Sequence, residues 1–336
     1  MTFEVVKPGL LTTLQDAGRP GLAYLGIGRA GAFDAPARRI ANALCGNPAD
    51  ACALEVTLLG PTLRCRQATW IAVTGAPMAF RVNGVDAPMW APVAVPAGAT
   101  IALGAMRAGC RAYLAVRGGF DVGAVLGSRS TDVNARIGPF GGRPLQAGDQ
   151  LATGATVLPD ADQSAHPFGS DGKPDPVAPK WQLDPRPWLR MDARIPLRLL
   201  PGAHLDNLTP GSLNRLFSER FCVHADSNRV GVRLVGPMLQ LGVPGEMISE
   251  GCVPGLLQLP PSGQPIAFGP ECPVSGGYPR IGQIAAVDLP RLAQLRPGDA
   301  LRFAPCDWPE ARQALRMHEQ ALARLDANIA RRLRSI

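Results

Sequence analysis

Lysine is nearly absent from this chain: Lys7, Lys173 and Lys180 stand beside 31 arginines. A Schiff-base lysine would have to be Lys7 or come from a proline-rich stretch. Histidine is scarce too, and its four copies are isolated, so no triad or metal cage takes shape around them. The eight cysteines contain no C-x-x-C pair and no metal-like spacing with histidine. Scattered thiols of this kind read as buried and reduced. The motifs H-E-x-x-H, G-x-S-x-G and G-x-x-x-x-G-K-[ST] are missing. Long hydrophobic runs are missing as well. The longest uncharged stretch, 87–106, is broken by Pro88, Pro92, Pro96, Gly98 and Gly104, which excludes a membrane-spanning helix there. The start, Met-Thr-Phe-Glu-Val-Val-Lys-Pro, lacks the basic region and apolar core of a signal peptide. The expectation is a soluble, cytoplasmic protein. Charge is sparse, at 18% of residues, with a net +7. Six arginines against three acids from Glu310 onward carry +3 of that excess. With no basic run before this tail, nucleic acid is not an expected partner.

What is there points to strands. The 336 residues allow about two domains of ~150 residues. Hydrophobic residues make up 46%, enough for large cores. Gly 38 and Pro 34 together exceed a fifth of the chain, which suits many short strands joined by turns. Stretches 3–6 and 10–14 flank the turn dipeptide Pro8-Gly9. Stretches 70–74, 79–82, 93–95, 100–103 and 111–116 are β-rich and bounded by Gly and Pro. One helix is predicted over 35–45, with Asp34 as N-cap, Pro36 in the first turn and Gly46-Asn47 as the stop. Seven prolines between 159 and 187 mark a linker. β patterning resumes over 195–200, 220–225, 230–235, 256–259, 265–268 and 300–303, with a short helix over 212–218. Pro-Gly and Gly-Pro dipeptides recur in the same order in both halves, at Pro8-Gly9 and Gly60-Pro61, then Pro201-Gly202 and Gly236-Pro237. That order predicts a duplicated β-barrel. From about Pro309 the pattern is helical, with Leu315, Leu322, Leu325 and Ile329 on one face and arginines around it. The predicted domains are 1–155 and 191–308, with a linker at 156–190 and a helical tail at 309–336.

Two motif matches fail on context. Gly26-Ile27-Gly28-Arg29-Ala30-Gly31 fits G-x-G-x-x-G but follows a turn rather than a strand, and no βαβ alternation follows it. An anion beside Arg29 at the start of the next helix is the weaker reading of that segment. Ser170-Asp171-Gly172-Lys173 fits S-x-x-K but lies in the proline-rich stretch. The remaining polar candidates sit in glycine-rich turns: Asp16/Arg19, Arg29/Asp34, the 127–131 turn, the 226–229 turn, Ser249-Glu250-Gly251 and Ser275-Gly276-Gly277-Tyr278-Pro279. Arg229 and Arg233 are expected on one strand face, roughly 13 Å apart and too far apart to clamp one carboxylate together.

These same segments carry a resemblance. Lys7-Pro8-Gly9-Leu10-Leu11-Thr12-Thr13-Leu14-Gln15-Asp16-Ala17-Gly18-Arg19-Pro20-Gly21 resembles the opening of the 5-oxoprolinase C-subunit family, also called the biotin-dependent carboxyltransferase family or allophanate hydrolase subunit 2. Gly127-Ser128-Arg129-Ser130-Thr131, Ser227-Asn228-Arg229-Val230-Gly231, Ser249-Glu250-Gly251 and Gly276-Gly277-Tyr278-Pro279 continue it in order. Ala30, Phe33 and Glu271-Cys272-Pro273 depart from the family pattern.

The resemblance implies a mainly β fold of two tandem cyclophilin-like β-barrel domains. It implies homologues of the B and A subunits of 5-oxoprolinase as partners, in a complex that uses ATP to open 5-oxoproline, a small-molecule substrate, into glutamate. The alternatives are a biotin-dependent carboxyltransferase component acting on urea or a related amide, and a regulator that binds a kinase inhibitor. No metal site, and no Ala-Met-Lys-Met biotinylation motif, is evident in the chain itself. The residues expected to act are Glu250 as base, with Tyr278 and Asp34. Arg19, Arg29, Arg129, Ser130, Thr131 and Arg229 are expected to bind the substrate or an anion. Such a set suits a phosphorylated lactam, which needs arginines for phosphate and carboxylate and a carboxylate base for water.

Overall fold

The computed structural model describes residues 2–154, 177–192, 194–242 and 247–335. Most of the predicted linker, and with it Ser170–Lys173, lies outside the described residues. By contact the chain divides into two compact units. One comprises Met1–Gly18, Asp34–Leu189 and Leu322–Ile336; the other comprises Arg19–Phe33 and Arg190–Ala321. Residues 19–33 thus group with the second half of the chain, whereas the boundaries read from sequence leave them in the first.

The first unit is built from two antiparallel sheets. In the six-stranded sheet the order is Gln150–Leu151, Phe3–Lys7, Thr62–Cys65, Thr100–Met106, Met78–Val82 and Val85–Asp86. The five-stranded sheet runs Leu11–Gln15, Ala53–Thr57, Arg111–Val116, Thr69–Gly75 and Pro92–Val95. Side chains from both sheets, among them Phe3, Val5, Leu54, Leu63, Ile71, Phe80, Ile101 and Leu114, form one buried cluster. Every residue of Arg111–Val116 is buried. One side of that strand feeds the cluster, and the other is covered by the helix Ala35–Leu44. This helix begins as its sequence dictates: the Asp34 carboxylate accepts the Ala37 N–H at 3.1 Å, and Pro is in the first turn. Ile40 and Leu44 on its inner face are fully buried. The Thr74 hydroxyl donates to the Ala37 carbonyl at 2.6 Å and ties the helix to the sheet.

The second unit holds an eight-stranded sheet in the order Ala300–Leu301, Phe221–Val223, Gly231–Val235, Ile266–Phe268, Leu256–Gln258, Arg280–Ile284, Leu197–Pro201 and Phe303–Pro305. Its two outermost strands are consecutive in sequence, separated by Arg302 alone. The sheet therefore curls until its edges meet, a nearly closed barrel. All its pairings are antiparallel except that of Leu197–Pro201 with Phe303–Pro305. Leu199, Phe221, Leu234, Leu257, Ile281, Leu301 and Phe303 fill the interior. The predicted short helix spans Pro210–Ser218, capped by Thr209. The fold is mainly β, as expected, and it ends in the long helix Trp308–Leu333.

The dipeptides that suggested a repeat do not occupy matching places. Gly9, at φ +76°, lies against the backbone of Leu59 and Gly60. Gly202 lies against Arg280–Gly282 instead, and Gly236 against Arg220 and Phe221.

Candidate functional site

In the first unit the predicted residues Arg129 and Ser130 converge on Asp16. The Asp16 Oδ1 accepts from the hydroxyls of Ser128 and Ser130, each at 2.6 Å, and from the Gly18 N–H at 2.8 Å. Its Oδ2 accepts the Arg129 N–H at 2.6 Å, and its own N–H donates to the Ser130 hydroxyl at 2.9 Å. Burial alone would raise this carboxyl. The two hydroxyls and two backbone N–H groups together outweigh burial and hold it below the ordinary carboxylate value. Asp16 is thus an ionised hub whose oxygens are filled, suited to fixing the 127–131 turn and not to accepting a proton. Thr131 serves the same turn through its backbone: its N–H donates to the Leu14 carbonyl, and its carbonyl accepts from Gln15 at 2.8 Å. The Arg129 side chain leaves this hub, its Nε bonding the Val122 carbonyl at 2.9 Å.

Asp34 is 1% exposed and is spent as the helix cap. Its N–H donates to the Tyr113 hydroxyl at 2.8 Å, which donates in turn to Glu55 at 2.6 Å. Burial, then the charges of Glu55 and Asp34, push the Tyr113 phenol well above its ordinary value, so it stays a neutral donor. With the Asp34 carboxylate occupying the helix N-terminus, an external anion there would meet a charge of its own sign.

In the second unit Arg229 is 3% exposed. Its Nε pairs with Glu271, and its Nη2 donates to the Gly31 carbonyl at 2.6 Å. Arg229 therefore clamps the 19–33 segment into this unit. Glu271, one of the departures from the family pattern, supplies its counter-charge. The expectation that Arg229 and Arg233 share a strand face is corrected here. The strand begins at Gly231, so Arg229 precedes it and is buried, whereas Arg233 is exposed. Arg19 is buried and Arg29 exposed, and the Arg19 N–H donates to the Arg29 carbonyl at 2.8 Å. Glu250 belongs to a small ribbon in which Glu250–Gly251 pairs with Ser275–Gly276, and Tyr278 follows the second strand two residues on. The Glu250 carboxylate forms an ion pair with Arg280. Tyr278 lies on the wall of a cavity of about 720 Å³, with Met238, Leu241, Leu259, Pro260 and Pro279. Among the described residues, Gln240 and Tyr278 are the polar side chains of that wall.

Within the first unit Arg129, Ser130 and Thr131 gather around Asp16; within the second, Arg229 pairs with Glu271, Glu250 pairs with Arg280, and Tyr278 lines the cavity. Asp16, Glu271 and Arg280 were not among the residues expected to act. Asp16 sits in the opening motif. Glu271 is marked in the sequence as a departure from the family pattern, and nothing marks Arg280 beyond its charge. Among the described residues no group of three or more His, Cys, Asp and Glu is placed to hold a metal ion. No helix among them is long and apolar enough to cross a membrane.

This β architecture, with its nearly closed barrel sheet and motif-bearing turns, is the class of fold that known relatives share. Residues 25–305 match the family of the carboxyltransferase domain, subdomain A and B, and the chain belongs to that family. It is 36% identical to the C subunit of 5-oxoprolinase from Escherichia coli over 93% of this chain and 94% of that protein. It is 32% identical to urea amidolyase of Saccharomyces cerevisiae over 99% of this chain but only 18% of that much longer protein. The crystal structure of the Kluyveromyces lactis urea carboxylase superposes with a TM-score of 0.83 at 29% identity, covering 98% of this chain and 29% of that one.

Proposed function

We propose that this chain is one component of an ATP-dependent 5-oxoprolinase and acts in the cytoplasm together with homologues of that enzyme's B and A subunits. The observation that carries this reading is the end-to-end match to a free-standing 5-oxoprolinase subunit, against a match to under a fifth of the yeast urea amidolyase. In the overall reaction ATP, 5-oxoproline and water give ADP, phosphate and glutamate. Phosphorylation of the lactam oxygen makes the ring carbon electrophilic; one water adds to that carbon and the ring C–N bond breaks to leave an acyl phosphate, which a second water hydrolyses to the carboxylate and free phosphate. In this reading the 720 Å³ cavity receives the substrate ring on its apolar wall. Tyr278 contributes a hydroxyl donor there, and Glu250, held by Arg280, is the base candidate.

Co-expression with the partner subunits and assay of glutamate and ADP tests this. Product formation that depends on this chain is expected, and equal activity with the chain left out would overturn the reading. In the intact complex Glu250→Gln should lower turnover about 10²–10⁴-fold. A loss below about tenfold with normal assembly removes Glu250 from the role of base. The family's own description and the yeast relative favour a second reading, a carboxyltransferase acting on urea or a similar amide. Turnover of carboxybiotin by the purified complex, with none of 5-oxoproline, would establish it.

A further inference from the structure

The first unit contains a separate, polar cavity of about 370 Å³. The turn after the helix Ala35–Leu44 forms one wall, with Asp50, Ala51 and Cys52. Gly118–Asp121 forms another, and Arg129 closes it. The approach of the two walls requires glycine at 119, where φ is +70° and a Cβ would stand 3.3 Å from that of Ala51.

The charges around this cavity are unusual. Arg129 has its Nε committed to Val122, but its Nη2 reaches Asp121 only at 3.4 Å, a marginal bond. Behind the wall lies Arg38, on the helix and only 5% exposed. Its Nη1 donates to the carbonyl of the wall residue Ala51 at 2.9 Å, while its Nε has no acceptor. Among the described residues no carboxylate forms an ion pair with it; Asp16 and Asp50 act on it only from a distance. Holding a guanidinium out of water without an adjacent counter-charge is costly. Two exposed carboxylates, Asp50 and Asp121, face the same space. A simple anion would be drawn by the arginines and repelled by the two aspartates, and a simple cation would meet the reverse. A small zwitterion satisfies both signs, and the volume is at the low end of the usual range for small-ligand sites, about 300–1,000 Å³.

We propose that this cavity binds a free α-amino acid, its carboxylate held by Arg129 and drawn by the Arg38 charge behind Ala51, its ammonium facing Asp50 and Asp121. Cys52 is a passive part of the wall: burial, then the nearby Asp16 charge, pushes its thiol far above the ordinary value. The site is distinct from the Tyr278 cavity and does not depend on the 5-oxoprolinase reading.

Calorimetric titration of the full chain with each standard amino acid, and with glutarate as a probe lacking the ammonium, tests the proposal. Saturable single-site binding of at least one amino acid is expected. Arg129→Gln should weaken it about tenfold or more, as loss of a charge-assisted bond does. Glutarate should bind at least as weakly as that amino acid binds to Arg129→Gln. Arg38→Met is the second variant: it should weaken binding while raising the melting temperature of the ligand-free protein, because it removes an uncompensated buried charge. No saturable binding by any amino acid, undiminished binding to Arg129→Gln, or a lower melting temperature in Arg38→Met with unchanged affinity would each overturn the proposal.

Discussion

Asp16 gathers four donors onto one carboxylate, and its chemistry follows from that count. The charge is stabilised by Ser128, Ser130 and two backbone N–H groups despite its partial burial. A carboxyl whose folded value is depressed stabilises the fold above its ordinary value of about 4, and that contribution fades as pH falls toward the lower folded value. Asp16→Asn should therefore cost about 1–3 kcal/mol at neutral pH, measured by urea unfolding. The gap to the wild type should narrow below about pH 4. A constant gap from pH 7 to pH 3 would show that shape, and not charge, holds the turn. The sequence contains every residue of this hub, and the resemblance to the family motif at 127–131 brought Arg129, Ser130 and Thr131 to attention. It could not reveal the hub itself, because Asp16 and Ser130 lie 114 residues apart. Asp34 shows the reverse case. Its place before Ala-Pro reads at once as a cap, and the structure contains that cap, the carboxylate accepting the Ala37 N–H.

Strands and helices differ in how far local pattern defines them. The strand Arg111–Val116 and the helix Ala35–Leu44 are legible because Gly, Pro and capping residues punctuate them. Ala53–Thr57 is not legible as a strand, since Glu55 breaks its apolar run; in the fold that acid is buried with Tyr113 and Arg111. Arg280–Ile284, with Gly282 and Gln283 in its middle, has little β character of its own. Neighbours on both sides, Leu256–Gln258 and Leu197–Pro201, make it a strand. The long helix Trp308–Leu333 follows its heptad-like pattern closely. Leu322 and Ile329 are each 1% exposed, Leu315 and Leu325 half-buried, and most arginines of the helix exposed. Leu322→Ala should cost about 2–5 kcal/mol, as cavity-forming substitutions do. The exposed Arg324→Ala should stay within about 0.5 kcal/mol. Equal effects of the two substitutions on the melting curve would mean that the helix is held by its charges and not by its apolar face.

At the scale of the whole molecule, the buried Arg229–Glu271 pair joins stretches of chain that are remote in sequence. Removing one partner strands a buried charge, so Arg229→Met should destabilise by about 3–5 kcal/mol. The double substitution Arg229→Met with Glu271→Leu should recover much of that loss, because an apolar pair avoids the desolvation penalty. Chemical unfolding of both variants, with a double-mutant cycle, separates the pair's own contribution from the cost of breaking it. If both variants unfold at the wild-type denaturant midpoint, Arg229 is no clamp.

The bond from Arg229 to Gly31 spans 198 residues, and this has a consequence for how the protein is made. A ribosome adding about 5–20 residues per second needs roughly 10–40 s between these two positions. For that interval the 19–33 segment has emerged without the clamp that will receive it. The sheets of the first unit can be paired by then, since their last strand ends at Leu151. A nascent chain halted after residue 200 should therefore carry a protease-resistant body with one cleavable loop near its start. The loop becomes resistant only once the second unit has been synthesised and the barrel has closed around its own ends.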